Sequence, residues 1–378
     1  MRIVAPMVSL VIVALVAVTW PGCGPPAVSR DLGDGLVGNL LSGDAYIGSR
    51  ACASCHPGEY AAYTNSGHSR TLRPAVNLPL AAALDGRLAA DPEEDGVAWL
   101  FRRAGGRLEV ERQAGDATES APIDLALGSG HHAVTFLTLT RLDRDRPEAI
   151  EHRLTHYAEG DRLALTPGQE AGHRERVSLG RPLSTAETLK CLRCHATRLS
   201  ARSDNELDLR TVIPNISCER CHGPARRHVE AQSRGLKGPR LGMAGADSAE
   251  EQMRFCGVCH RHPSRFPARL IEPGNAQLAR FQPIGLMQSR CYSESGGELS
   301  CGSCHDPHSG TSSDAGRYER ACLNCHEPKQ TGQAACGAGH ADRCVSCHMP
   351  GVDSGQGVLF SDHWIRVRRD LDAAPAAN

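Results

Sequence analysis

Ser300-Cys301-Gly302-Ser303-Cys304-His305-Asp306-Pro307-His308 sets two cysteines and a histidine at positions i, i+3 and i+4, with another histidine three residues on. Residues at that spacing share one face of a helical turn. The pattern Cys-x-x-Cys-His occurs at Cys52-Cys55-His56, Cys191-Cys194-His195, Cys218-Cys221-His222, Cys256-Cys259-His260, Cys301-Cys304-His305, Cys322-Cys325-His326 and Cys344-Cys347-His348. A shuffled chain of this composition would hold roughly 0.04 such motifs, so chance does not account for seven. They take up all but three of the 17 cysteines and leave Cys23, Cys291 and Cys336.

Two thiols on one turn can form thioethers with the two vinyl groups of a single porphyrin, and the adjoining imidazole then lies under its iron. Zinc is the rival reading, because Cys-x-x-Cys pairs also build structural zinc sites. A zinc ribbon does not require a histidine after every second cysteine, and every pair here has one. The spacing therefore predicts seven covalently attached c-type haems, with His56, His195, His222, His260, His305, His326 and His348 as proximal ligands.

Composition points the same way. The chain has 378 residues, of which 40% are apolar and only 4% aromatic, a thin supply for a side-chain core. An odd cysteine count argues against a purely disulfide framework. The formal charge of −1 comes without a long basic run, which argues against a nucleic-acid partner. Each ferric haem with two propionates would add about −1.

The N-terminus reads as an export signal over residues 1–23: Arg2 supplies the positive end and Val8 to Val18 the apolar stretch, short for a membrane span. Cys23 is a candidate for lipidation. The alternative is an ordinary signal peptide in which it plays no part. The expected location is exported, in the periplasm or attached to the envelope. Residues 24–45 read as a Gly- and Pro-rich linker, 46–74 as the first haem segment, 75–190 as a haem-poor β-rich insertion, 191–369 as a six-haem domain and 370–378 as a disordered tail. Within the insertion, Val97-Ala98-Trp99-Leu100-Phe101 and Leu108-Glu109-Val110-Glu111 flank Ala104-Gly105-Gly106 as a hairpin. Ala133 to Leu142 is a further strand. The expected fold class is mainly α and irregular, with short helices and loops wrapped around haems and a small β-rich insertion.

Each iron needs a second axial ligand or an open position. Eleven histidines lie outside the motifs: His68, His131, His132, His152, His156, His173, His228, His262, His308, His340 and His363. A lone histidine is more often structural, and seven irons raise the odds that it is a ligand. Methionine is the other common ligand, but Met243, Met253 and Met287 sit in no supporting pattern. Cys291 and Cys336 flank the last three motifs, and a disulfide between them is a candidate in an oxidising compartment.

Several segments resemble the multihaem cytochromes of the cytochrome c554-like family, some of which carry tetratricopeptide repeats that this chain lacks. They are Tyr46-Ile47-Gly48-Ser49-Arg50-Ala51-Cys52 with Ser66-Gly67-His68; Gly128-Ser129-Gly130-His131-His132; Cys218-Glu219-Arg220-Cys221-His222-Gly223-Pro224 with His228; Ser300 to His308; and Cys347-His348-Met349-Pro350 with Ser361-Asp362-His363-Trp364-Ile365-Arg366. The resemblance implies His68, His132, His228, His308 and His363 as distal ligands, with His131 competing with His132. His340 and His262 are further candidates. His308 lies so close to its own motif that it is expected to serve a neighbouring haem.

Two functions follow as expectations. The first is an electron carrier with largely low-potential bis-histidine haems, exchanging electrons with other redox proteins or a membrane quinol-oxidising complex. The second is a multihaem oxidoreductase acting on a small nitrogen or sulfur oxyanion at one five-coordinate haem. The expected open position is the haem of Cys256-Cys259-His260, whose surroundings match the family least. No Cys-x-x-Cys-Lys motif of the nitrite-reducing kind occurs.

Overall fold

The computed structural model describes residues 46–368 except 142–147, 171–176, 200, 204–205, 208–210, 243–247, 327–342 and 356. The first haem segment forms a 3-10 turn over Ser49–Cys52 and a helix over Pro57–Asn65. It then enters β1 (Leu72–Pro74), the edge of a seven-stranded sheet.

A four-stranded antiparallel sheet follows, built from β2 (Leu88–Ala90), β3 (Val97–Ala104), β4 (Arg107–Ala114) and β5 (Ala117–Ile123) in that spatial order. In β3 the buried residues are Val97, Trp99 and Phe101, alternating with half-exposed Ala98 and Leu100. That period of two buries one face of a strand. Gly105 and Gly106, with φ of 57° and 77°, close the β3–β4 hairpin, as a two-residue primed turn requires. Ala104 pairs with Arg107 and Val97 with Ala114 across it.

The seven-stranded sheet continues through β6 (Leu125–Leu127), β7 (Ala133–Arg141), β8 (Glu148–His152), β9 (Leu154–Tyr157), β10 (Arg162–Leu165) and β11 (Gly180–Leu183). Its spine runs β1-β6-β7-β8-β11, with β9 bridging β7 and β10. One apolar core lies among Trp99, Phe101, Leu108, Val110, Phe136 and Leu84 of the helix Pro79–Leu84. A second lies among Leu72, Leu125, Leu137, Leu183, Leu189 and Leu192.

Beyond His195 the elements shorten. Strands come as two-stranded pieces: β12 (Ala196–Arg198) with β15 (Ile213–Pro214), β13 (Ala201–Ser203) with β14 (Glu206–Leu207), and β16 (Gly351–Asp353) with β17 (Leu359–Ser361). Helices cover Cys218–His222, Arg226–Ser233, Ala249–His260, Gln282–Gln288, Arg290–Glu294, Ala315–His326 and Cys344–His348.

The expectation of a mainly helical and irregular chain with a small β insertion fails. Among the described residues there are five sheets, and both large side-chain cores are built on strands. The reason is physical. A Cys-x-x-Cys-His motif needs only one helical turn, and several motif helices have just that length, as in Cys218–His222 and Cys344–His348. The motifs therefore fix local turns and leave the larger architecture to the strands. Among the described residues no helix is long and apolar enough to cross a membrane.

Candidate haem site

Each motif is held by the element that carries it. In the helix Thr185–His195, the Ser184 hydroxyl accepts from the Glu187 backbone N–H and the Glu187 carboxylate accepts from the Ser184 N–H. This capping box satisfies two donors at the helix start. Leu189 and Leu192, which flank Cys191, are buried in the second core. The seven-stranded sheet thereby fixes the second motif. The helix Ala249–His260 starts at Ser248, whose hydroxyl accepts from the Glu251 N–H at 3.1 Å, and buries Met253 and Gly257.

Three of the motif histidines share a hydrogen-bond pattern. The Nδ1 of His195 meets the Thr71 carbonyl at 2.8 Å, that of His222 the Gly242 carbonyl at 3.2 Å, and that of His348 the Arg366 carbonyl at 2.9 Å. An imidazole that donates Nδ1–H to a carbonyl keeps its lone pair on Nε2, the arrangement usual for a metal-ligating histidine. Two distal candidates do the same: His228 Nδ1 meets the Pro239 carbonyl at 3.1 Å and His363 Nδ1 the Ser361 carbonyl at 2.9 Å. The His308 Nδ1 meets an Asp306 carboxylate oxygen at 3.1 Å. His68 is hydrogen-bonded to the backbone of Pro307.

Three motif histidines stand opposite a second histidine. Ring centres lie 6.4 Å apart for His68 and His260, 6.1 Å for His222 and His308, and 6.2 Å for His305 and His363. Two metal–imidazole bonds of about 2 Å, each with about 1 Å from the ligating nitrogen to its ring centre, separate two rings by about 6 Å across one ion. The gaps thus fit one iron each. Among the described residues no three His, Cys, Asp or Glu side chains converge as a zinc site needs.

Electrostatics favour the ligating form of these rings. Burial pushes the imidazoles of His195, His260 and His305 below the ordinary histidine range. It does the same to His68, against the opposing pull of its bond to Pro307. His363 is pushed down to about 4, again chiefly by burial. A neutral imidazole offers iron the lone pair that a protonated one lacks.

The structure brings the sequence candidates together unevenly. His308 stands against His222 of the third motif rather than His305 of its own. The haem of His260, expected to have the open position, is the one that His68 faces. His131 and His132 are edge-to-face at 4.5 Å, and His132 packs on Phe360 of β17 at 4.7 Å. His262 behaves differently: its Nδ1 accepts the Ser264 N–H at 3.2 Å. The proton then sits on Nε2, which is buried without a partner. That tautomer offers no Nε2 lone pair. His152 and His156 belong to the sheet, where they bond Thr138 and Asp161. Cys23, Cys336, His173, His340 and Met243 lie outside the described residues, and with Cys336 goes the candidate disulfide to Cys291.

Sequence reasoning missed three supporting residues. Glu219 fills a variable position of the third motif and is 2% exposed. Its carboxylate accepts backbone N–H groups from Ile47 at 3.0 Å, Gly48 at 2.9 Å and Ala225 at 3.0 Å, tying the first haem segment to the third motif. Thr71 accepts from His195 Nδ1 and donates its hydroxyl to the His195 carbonyl at 2.9 Å. Gly285 lets the closing segment lie on the helix Gln282–Gln288, since a Cβ there would come within 2.6 Å of the Trp364 nitrogen. Only Glu219 left a signal, as an acidic residue enclosed by a haem motif.

The profile of the family described as cytochrome c554 and c-prime matches residues 157–223, which contain the second and third motifs. The dissimilatory sulfite reductase MccA of Wolinella succinogenes is 22% identical over 81% of this chain and 50% of its own length. The chain thus spans about half the length of that curated relative. The crystal structure of the outer cell wall cytochrome OcwA superposes with a TM-score of 0.44 at 15% identity, over 85% of this chain and 80% of the other. The recurrent attachment motif, the histidine pairs set one iron apart and the likeness to cytochrome c554 converge on one conclusion: this chain is a multihaem c-type cytochrome.

Proposed function

We propose that the chain carries seven covalent haems, one per motif, and conducts electrons outside the cytoplasm. The observation that carries this reading is the closed pairing of His260, His222 and His305 with a second histidine across an iron-sized gap. When bound, each haem supplies a one-electron ferric–ferrous couple. His260 with His68, His222 with His308 and His305 with His363 would hold a haem iron between them, and carbonyl partners fix the tautomers of His222 and His363. Two histidines per iron favour low potentials compared with a methionine ligand.

The thioether cysteines are Cys52, Cys55, Cys191, Cys194, Cys218, Cys221, Cys256, Cys259, Cys301, Cys304, Cys322, Cys325, Cys344 and Cys347. Residues 1–23 direct export, and Cys23 provides a lipid anchor at the envelope. Partners are other redox proteins or a quinol-oxidising membrane complex. Two measurements test the reading together. Each haem adds about 0.6 kDa, so intact mass should show seven, and the ferric spectrum should be low-spin and unmoved by cyanide, nitrite or sulfite. Fewer haems, or a high-spin band that shifts with one of these ligands, would overturn it.

A second reading has one specific support, the similarity to a dissimilatory sulfite reductase. In it, one motif keeps an open axial position and reduces a small sulfur oxyanion. The same titration separates the two, because only an open position shifts its spectrum with sulfite.

A further inference from the structure

The helix Ala249–His260, which ends in the fourth motif, is met by four other motif segments. From the second motif, Cys194 Sγ lies 3.9 Å from the Val258 carbonyl, and the Cys194 and Cys259 thiols are hydrogen-bonded. From the third, Arg220 bonds the Cys259 thiol, and Cys221 lies beside Cys256. From the fifth, Cys301 Sγ lies 3.4 Å from Met253 Sδ, its thiol bonds that of Cys256, and the Gly302 N–H donates to Gln252 Oε1 at 2.6 Å. From the first segment comes the His68 ring, opposite His260.

The remaining motifs also touch one another. Cys52 of the first motif bonds Cys218 of the third. Cys322 of the sixth bonds Cys344 of the seventh. Cys291 lies between Cys304 of the fifth motif and Cys325 of the sixth.

Thioether sulfurs are attached at the rim of the porphyrin, so touching sulfurs from two motifs bring two porphyrin rims together. We infer that the fourth motif, Cys256-Cys259-His260, is the junction of a branched array, bordered by the second and fifth motifs through sulfur contacts and by the third through Arg220. The first motif joins through the third, and the sixth and seventh join through the fifth. Among the described residues the sulfur contact of the second motif is with the fourth, which makes it a side branch, the place for an electron to leave to, or arrive from, a partner distinct from those at the other ends. Each hop oxidises one ferrous iron and reduces its ferric neighbour, with no bond made or broken. The electron is supplied and taken up by partner redox proteins. This inference rests on the seven-haem reading proposed above.

The test uses mature, fully loaded His68→Met protein. A methionine ligand raises the potential of its own haem. Once that haem stays reduced, its added negative charge lowers the potentials of the haems touching it. Potentiometric titration followed by electron paramagnetic resonance should show one midpoint rising and three falling. The control is His308→Met, which changes the haem of the third motif, and there one should rise and two fall. Two or fewer falling midpoints in His68→Met, or none rising, overturns the junction. Intact mass taken on the same samples distinguishes the two failures. Fewer than seven haems in the wild-type protein sinks the haem reading itself, whereas seven haems with a linear pattern of shifts sinks only the branch. A cryo-EM map of the loaded wild-type protein gives an arm independent of any variant. Three porphyrins should touch the rim of the one at His260, and two or fewer overturn the proposal.

Discussion

The sheet region and the motif region hide their apolar surface by different means. Between Leu72 and Ala225 the chain buries residues such as Trp99, Phe101, Phe136, Leu108, Leu137 and Leu189 in two side-chain cores. After Ala225 the buried apolar residues among those described are Met253, Leu278, Ala279, Ile284, Leu286 and Val358. Six such residues, one of them alanine, are too few to close a structure that continues to residue 368, because apolar burial is the main favourable term in folding. The contrast shows that the sheet region carries its own side-chain cores, whereas the described part of the motif region buries few apolar side chains.

The largest effect is expected where that contrast is broken. Protein produced without haem attachment should keep the sheet region and lose the motif region. Limited proteolysis of such material should leave a resistant fragment spanning about residues 72–198, with the chain beyond residue 226 digested. The fully loaded protein should resist throughout. A haem-free protein as resistant in its last third as the loaded one would show that side chains suffice there.

A smaller effect should remain inside the sheet region. Arg153 is 1% exposed and pairs with buried Asp91 at 2.5 and 2.9 Å, while Trp99 Nε1 donates to the same carboxylate at 3.0 Å. Burial alone would raise the Asp91 carboxyl, but the bonds from Arg153, the Glu93 backbone and Trp99 win and hold it at about 2. Removing one partner of a buried pair strands the other charge and costs about 3–5 kcal/mol. Glu93 and Glu94 still pair with Arg153, so Asp91→Ala should lower the unfolding free energy of the sheet region by about 3 kcal/mol, the low end of that range. The positions of the haem absorption bands should not move, because this pair touches no haem motif. A change in those bands would show that the two regions are not independent.

The sequence was legible where chemistry or periodicity is local. Val97 to Phe101 alternates and is flanked by Gly105-Gly106, so β3 and its hairpin could be read directly, as could β7 from Val134, Phe136 and Thr138. In β5, Ala-Thr-Glu-Ser-Ala-Pro-Ile lacks apolar alternation. Its first four residues are exposed, and it is a strand because β4 pairs with it. Such tertiary pairing makes strands that periodicity alone does not show. The attachment motifs were legible because their geometry closes within five residues. Which histidine faces which motif was not, since His68 and His260 are joined only by the folded chain. Nor were the partners of Glu219, two of which, Ile47 and Gly48, lie far from it in the sequence.

The smallest effect depends on pH and sharpens the boundary between structural and ligating histidines. His152 is 3% exposed in β8, and its Nε2 lies 2.8 Å from the Thr138 hydroxyl, which itself donates to the Pro122 carbonyl. His152 therefore donates, and its ring is neutral. Burial pushes it from 6.5 down to about 4. Between those values the unfolded chain binds a proton that the folded chain does not, so stability rises with pH across that window. Lowering the pH from 6.5 to 4 should remove up to about 3 kcal/mol of stability, at 1.36 kcal/mol per pKa unit. Below 4 this contribution should change no further, and above 6.5 it is absent. His152→Gln keeps a donor for Thr138 and cannot titrate, so its unfolding midpoint should depend less steeply on pH between 6.5 and 4 than that of the wild type. Parallel pH profiles for the two proteins would place the acid sensitivity of the sheet region in another group.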